Sequence, residues 1–409
     1  MVLARIEDRN EQRGEDVSTN RIICCAQSIE ETISISFKKE VYMKLGSLKK
    51  CMAVGMVIAM SLGVGACGNT QQAGDSAETK SVAVASTQAV ASSASSEDGE
   101  NKAGKGEDTA SSTGKVASPD DVVPEAKGMK IGATYYTLQT EFCMRMDNAA
   151  KKWAKNNGVN YKSYDGNNDA ATQLDQVETM IADGVDAIIL NPQDADACSA
   201  CVNAAVKAGI PIVGVNTMVN NDKLTGYCGS QDVSAGEEIM KYMIQYMNKD
   251  AFNIVVIEGP MGQSAQLQRI EGINNVLRDY PKIQILAQNT ANWSRSEAMT
   301  LMETWITTHG DKIDAVVAEN DEMALGAREA IEAAGMDIPC IGIDGITDAV
   351  SAVGNGKMIA SDFQNAEGQI SGALETAVKA VKGEKFEKEE WIPFEMITPK
   401  NYKDYQNRY

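Results

Sequence analysis

Two stretches of this chain echo one another. DAIILNP (186–192) runs through a helical pattern into GIPIVGVN (209–216), and DAVVAEND (314–321) runs through another into DIPCIGID (337–344). The step from Asn191 to Asn216 is 25 residues and the step from Asn320 to Asp344 is 24. A short apolar run closed by a turn residue is the pattern of a strand buried on both faces, and such strands alternating with helices build a parallel sheet. Two copies of one unit predict two similar lobes. In each copy a polar side chain stands where a buried strand ends, and the carboxyl ends of strands form the ligand crevice of an open α/β sheet. Asn191, Asn216, Asn320 and Asp344 are therefore expected to converge between the lobes.

The same texture extends through the rest of the body. KIGATYY, NYKSYD, NIVVIEG and QILAQN join the repeated runs as strands. Helical stretches such as FCMRMDNAAKKWAKNNG, DVSAGEEIMKYMIQYMNK and EMALGAREAIEAAG lie between them, several closing on the glycine that helix C-termini favour. At 409 residues the chain exceeds one average domain. Its net charge of −19 repels phosphate backbones, so no nucleic-acid partner is expected. The single histidine, His309, cannot build a multi-histidine metal centre, and neither a metal nor a cofactor is expected. Nine cysteines, an odd number without regular spacing, argue against a disulfide framework. Cys198 and Cys201 form a CxxC inside a predicted helix whose Ala, Val and Cys share one face. Core packing is the reading there, because zinc would need two further ligands.

Ahead of the body, residues 43–67 (MKLGSLKKCMAVGMVIAMSLGVGAC) place Lys44, Lys49 and Lys50 before an uncharged run. That run, Cys51 to Ala66, is 16 residues long, shorter than the roughly 20 a membrane-spanning helix needs, and reads as an export signal. Val64-Gly65-Ala66-Cys67 resembles the bacterial lipobox, which implies cleavage before Cys67 and a diacylglyceryl group on its sulfur. The expected location is the outer face of the cytoplasmic membrane, anchored by lipid. Residues 1–42 are polar and charged and precede the signal, so Met43 is read as the start, with a cytosolic extension as the alternative. GVGACG (63–68) satisfies GxGxxG but follows no strand and opens no helix, and is a chance match. Residues 67–128 read as a disordered Ser/Ala/Gly linker, able to reach roughly 40 Å as a flexible coil.

A sugar or polyol presents hydroxyls that each donate and accept, so its site needs Asn and Gln for mixed bonding, Asp to accept and Arg to donate. Its apolar C–H faces stack on aromatic rings. Phe142 and Trp293, each after a predicted strand, are candidates for that role or for the core. In this light DAIILNPQDADA, AGIPIVGVN, SAQLQRIEGI, AENDEMALGA and CIGIDG, in order and at fitting intervals, are informative. From about Lys130 to Tyr409 the chain resembles the type 1 periplasmic sugar-binding proteins, the ribose-binding group of ABC-import receptors. The resemblance implies an α/β fold of two doubly wound parallel-sheet lobes joined by a three-segment hinge. The lobes would comprise residues 129–231 with 364–392 and residues 232–363 with 393–409. It implies Phe142 and Trp293 as aromatic plates, and Asn191, Asn216, Arg269, Asn320, Asp344 and Gln364 as hydrogen-bonding groups on the two sides of the cleft. Taken singly, Asn191 could merely end a strand, Asn320 or Asp321 cap a helix, and Arg269 pair with Glu271 or another helix carboxylate. The implied partners are a small sugar or polyol and an ABC permease, served by a monomer that binds through hinge closure and breaks no bond.

Two departures from the family pattern bear on the guest. Asn216-Thr217 stand where ribose receptors carry Asp-Arg, which sets ribose in doubt. TYYTLQTEFC replaces the usual Asn-Pro-Phe-Phe and puts Thr140 and Cys143 beside the expected site, so Thr140, Cys143 and Thr217 join the candidates. Tyr135, Tyr136, Gln139 and Glu141 could extend it, core or solvent being the competing role. Among rival readings, a sugar-sensing transcription regulator would need a basic helix-turn-helix ahead of residue 130. A glycosidase would need a carboxylate pair such as Asp344 and Glu319, yet Glu319 should point away from Asn320 if both lie in one strand. A receptor for a chemotaxis or two-component sensor would carry the same residues as an import receptor, and stays open beside it.

Overall fold

The apolar runs form strands and the amphipathic runs between most of them form helices. The structure is a computed structural model that describes residues 115–406 and Arg408. The predicted extension, the signal, Cys67 and the linker up to residue 114 lie outside the described residues. In chain order the body begins with β1 (Lys130–Tyr135), α1 (Glu141–Asn157), β2 (Asn160–Asp165) and α2 (Ala170–Ala182). It continues with β3 (Ala187–Asn191), α3 (Ser199–Ala208), β4 (Ile212–Asn216) and β5 (Gly226–Gly229). A second series follows: α4 (Asp232–Met247), β6 (Asn253–Glu258), α5 (Ser264–Leu277), β7 (Gln284–Thr290) and α6 (Arg295–His309). It closes with β8 (Ala315–Ala318), α7 (Asp321–Ala333), β9 (Cys340–Asp344), α8 (Thr347–Gly354) and β10 (Ala360–Phe363). The chain then returns through α9 (Ala366–Lys382) and β11 (Glu389–Trp391) and ends with β12 (Glu395–Ile397).

These strands make two six-stranded sheets. The first, ordered β11-β5-β4-β3-β1-β2, is parallel throughout. The second, β12-β10-β9-β8-β6-β7, is parallel except at its edge, where β12 runs against β10. β3 and β4 are buried along their whole length, as strands covered by helices on both faces must be, while β2 at the sheet edge is partly exposed. Three connections join the sheets, between β5 and α4, between β10 and α9, and between β11 and β12. The expected two-lobed, doubly wound class is the one observed.

Local chemistry fixes the ends of the helices. Thr140, Asp169, Ser294, Asn320 and Asn365 each accept a hydrogen bond from a backbone amide of the first turn they precede. α4 and α5 approach so closely that a Cβ on Gly236 would lie 2.1 Å from the Arg269 carbonyl oxygen, and this contact seats Arg269 beside Asp232. One expectation is revised. The linker was read as continuing to residue 128, yet from Lys115 onward it is already attached to the body. Val116 packs on the core and the Val123 amide donates to Asn157 Oδ1 at 2.6 Å. That segment's few apolar groups find a surface that its composition alone does not reveal.

Candidate functional site

In the first lobe the site is built on the ends of β3 and β4 and the first turn of α1. Asn191 Nδ2 donates to the Val215 carbonyl at 3.1 Å, to Asn216 Oδ1 at 3.3 Å and to Thr217 Oγ1 at 2.9 Å. Thr217 Oγ1 in turn donates to the Pro192 carbonyl at 2.9 Å. Asn216 adopts a left-handed backbone, φ 63°, and its carbonyl accepts the buried Tyr227 hydroxyl at 2.6 Å. Thr140 caps α1, and the Cys143 thiol faces Asn191 Oδ1 at 3.9 Å. Burial pushes the Cys143 thiol up to about 12, so it stays protonated and acts as a weak donor. Behind this wall Gln173 of α2 bonds the Asn191 carbonyl at 2.9 Å and the Gln193 amide at 2.8 Å. It also accepts from the Cys198 thiol at 3.3 Å.

The second lobe contributes the charged wall. Arg269 on α5 is buried, with Nε donating to Asp232 Oδ1 at 2.8 Å, Nη1 to the Glu319 carbonyl and Nη2 to Gln364 Oε1 at 3.2 Å. Burial works against its charge, but Asp232 and Asp344 hold its pKa above the ordinary value. Asp344 ends β9 with φ 126°, a backbone that side-chain-bearing residues rarely adopt, and such strain persists where the surroundings enforce it. The enforcement comes from Asp321, whose Oδ2 accepts the Gly345 and Ile346 amides at 2.7 and 3.1 Å. Asp344 is 5% exposed, and its carboxylate accepts no hydrogen bond from the described residues. Burial raises its pKa well above the usual carboxylate range, with Arg269 opposing. Trp293, also at positive φ (60°), is pinned by its Nε1 donating to Gln263 Oε1 at 2.6 Å, and its ring centroid lies 5.4 Å from the Arg269 guanidinium carbon.

The structure thus brings the predicted groups to one region. Asn191, Asn216, Thr217 and Cys143 form one bonded set, and Arg269, Gln364, Trp293 and Asp344 form another. Gln364 stands at the connection between β10 and α9, its amide donating to the Asp344 carbonyl at 3.2 Å. Phe142 and Trp293 are buried in a single contiguous apolar cluster that spans both lobes. Asn320 lies next to the set and caps α7, its Oδ1 accepting from Met323 N at 2.9 Å. The lobes touch on both rims: Ala195 N donates to the Gly262 carbonyl at 3.0 Å, Met218 N to Ser264 Oγ at 2.6 Å, and Thr347 N to Glu141 Oε1 at 3.1 Å. Beside Trp293 a crevice of about 740 Å³ opens between the lobes, bordered by Tyr136, Asn168, Gln193, Asn292 and Arg295.

Several readings change in detail. Arg269 does pair with a helix carboxylate, but the partner is Asp232 at the start of α4, 37 positions away, and not the neighbouring Glu271. β8 ends at Ala318, so Glu319 and Asn320 both lie beyond the strand; Glu319 Oε2 accepts the Gly259 amide at 2.8 Å. Cys198 precedes α3 and only Cys201 lies within it. Both are buried, the Cys201 thiol lowering that of Cys198 to about 7. Tyr136, left between site and core, is buried with its hydroxyl near Cys143 and Asp344, and burial raises its pKa well above the ordinary value. Asp232, Gln263 and Asp321 were missed: each acts through a partner far away in sequence, and only the alternation of polar residues at strand and helix ends hinted at them. Among the described residues no cluster of His, Cys, Asp and Glu could hold a metal ion, and no helix is long and apolar enough to cross a membrane.

A sequence profile of the family described as a periplasmic binding protein domain matches residues 131–385. The chain is 39% identical over 265 residues to a xylitol-binding protein of Mycolicibacterium smegmatis, covering 64% of this chain and 75% of that protein. It is 34% identical over 274 residues to a ribose import binding protein of Bacillus subtilis, covering 67% of this chain and 88% of the relative. The crystal structure of an ABC transporter solute binding protein from Bacillus halodurans with bound myo-inositol superposes with a TM-score of 0.66 at 37% identity, covering 69% of this chain and 99% of that one. With a profile match over residues 131–385 and relatives of this identity and coverage, the chain belongs to the periplasmic binding protein family, in its type 1 sugar-binding group.

Proposed function

We propose that this protein is an extracytoplasmic receptor that closes on a neutral sugar or polyol and delivers it to an ABC importer, held at the membrane by a lipid on Cys67. The observation that carries the reading is Asp344: a carboxylate held on a strained backbone between the lobes, beside Arg269, with no hydrogen-bond donor among the described residues. Withdrawing such an acceptor from most of the solvent without a donor is costly, and a hydroxylated guest supplies what is lacking. Asn191, Asn216, Asn320, Arg269 and Gln364 would bond further hydroxyls, Thr140, Cys143 and Thr217 would shape the first-lobe wall, and Phe142 and Trp293 would cover the C–H faces. Asn216-Thr217 here support Asn191 and bring no charge, which favours an inositol or an open-chain pentitol over ribose; the xylitol and myo-inositol relatives agree with that choice. Contacts to both lobes exist together only in the shut form, and this differential affinity shifts the population toward it.

A thermal-shift screen of the full chain against inositols, pentitols, pentoses and hexoses tests the reading. A guest at 100 times its dissociation constant should add about 2.7 kcal/mol of stability. Asp344→Ala and Trp293→Ala should each abolish that gain while the ligand-free protein stays folded. Retention of the gain in both variants would reject this pocket.

A further inference from the structure

The contact on the rim between α1 and α8 is chemically unlike those on the opposite rim. Glu141 Oε1, from the first turn of α1 in the first lobe, accepts the Thr347 amide at 3.1 Å and the Thr347 hydroxyl at 2.9 Å, both in the second lobe. The same oxygen accepts from Arg145 Nη2 one turn along α1, and that guanidinium also donates to Thr347 Oγ1 at 2.8 Å and to the Gly345 carbonyl at 3.3 Å. Thr347 is the first residue of α8, so its amide has no partner within the helix. Five helices of the body are capped by the side chain just before them, but α8 is preceded by Ile346, a buried apolar residue that makes no side-chain cap. The cap comes from the other lobe. It also places a carboxylate at the positive end of a helix dipole, and the Arg145 side of the same cluster grips the turn that carries Asp344.

We infer that Glu141 is a latch for closure: it completes the cap of α8 across the cleft, and with Arg145 it favours the shut receptor whether or not a guest is present. Opening the cleft leaves the Thr347 amide and hydroxyl to water. Glu141 does this without belonging to the set of groups proposed to touch the guest. The inference rests on the hinge-closing reading, and it makes Glu141 a positioning residue for that process. A receptor whose binding-competent form is less populated loses apparent affinity for every guest by one common factor, whereas loss of a direct contact changes their ranking.

The test uses the full chain with Glu141→Ala and, as a milder variant that keeps the branched shape of the side chain, Thr347→Val. Hydrogen exchange in the absence of sugar is read at the Met218 amide, which bonds Ser264 Oγ on the opposite rim and so reports opening of the cleft. Calorimetry then measures affinity for two polyols that bind the unaltered protein, such as an inositol and a pentitol. The expected result is faster exchange at Met218 in both variants, and dissociation constants raised by a common factor of roughly tenfold in Glu141→Ala. Unchanged exchange at Met218 overturns the latch, and so does a changed order of preference between the polyols. If no polyol binds the unaltered protein, the proposed function fails, while the exchange measurement still decides the latch.

Discussion

Asp362 is a carboxylate that the fold shuts away from water. It sits in β10 with both carboxylate oxygens buried and without a hydrogen-bond partner among the described residues. Burial raises its pKa to about 8, Glu238 adding to the effect and Arg269 opposing it. In the unfolded chain the same group ionises near its ordinary value of 3.8. The folded state therefore holds a proton that the unfolded state releases between these values, so stability falls as pH rises from about 4 to about 8. Burial acts the same way on Asp321, whose carboxyl is raised to about 7. Asp362→Asn removes one of these titrations, and its melting temperature should gain on that of the unaltered protein as pH climbs from 5 to 8. An equal difference at both ends of that range would contradict a proton-linked cost. At this scale the candidate site was partly legible: Asn191, Asn216, Asn320 and Asp344 were marked by standing where buried runs stop, and Arg269 and Gln364 by resemblance. Asp232 and Asp321 were not legible, because a carboxylate that supports a partner on another helix or loop leaves no periodic trace.

Pairs of elements place the Trp293 ring. Trp293 follows β7, its indole is pinned by Gln263 at the start of α5, and its ring lies against Gly259 after β6, where a Cβ would come within 2.1 Å of the ring carbons. Gly259 is needed for this close approach, not for an unusual backbone angle. Gly259→Ala should leave both sheets intact but displace the ring, and should weaken polyol binding by roughly tenfold or more, a loss of about 1.4 kcal/mol; calorimetry that finds unaltered affinity would show the plate to be dispensable. The strands named from the sequence, such as NYKSYD and CIGID, coincide with β2 and β9. β5 (GYCG) and β10 (ASDF) carried no such signal, being four residues long and poor in branched apolar side chains. They become strands because neighbours on each side offer hydrogen bonds, β4 and β11 for β5, and β9 and β12 for β10.

For the whole molecule, the proposed lipid on Cys67 would hold the receptor near a permease and raise its local concentration there. Cys67→Ser should move the protein from the membrane fraction to the soluble fraction of its native cell without altering polyol affinity; a membrane-bound serine variant would rule out the lipid as the anchor. Within the body, the paired units 186–216 and 314–344 were enough to determine that there are two lobes with strand ends facing a common crevice, because burial on both faces forces an apolar run and a crevice forces a polar end. What only the tertiary structure decided is which charges share that crevice and how it is held shut. Asp232 beside Arg269, Asp321 behind Asp344 and Glu141 over Thr347 are separated in sequence by 37, 23 and 206 positions, and no local pattern couples groups that meet only after both sheets have formed and the lobes have closed.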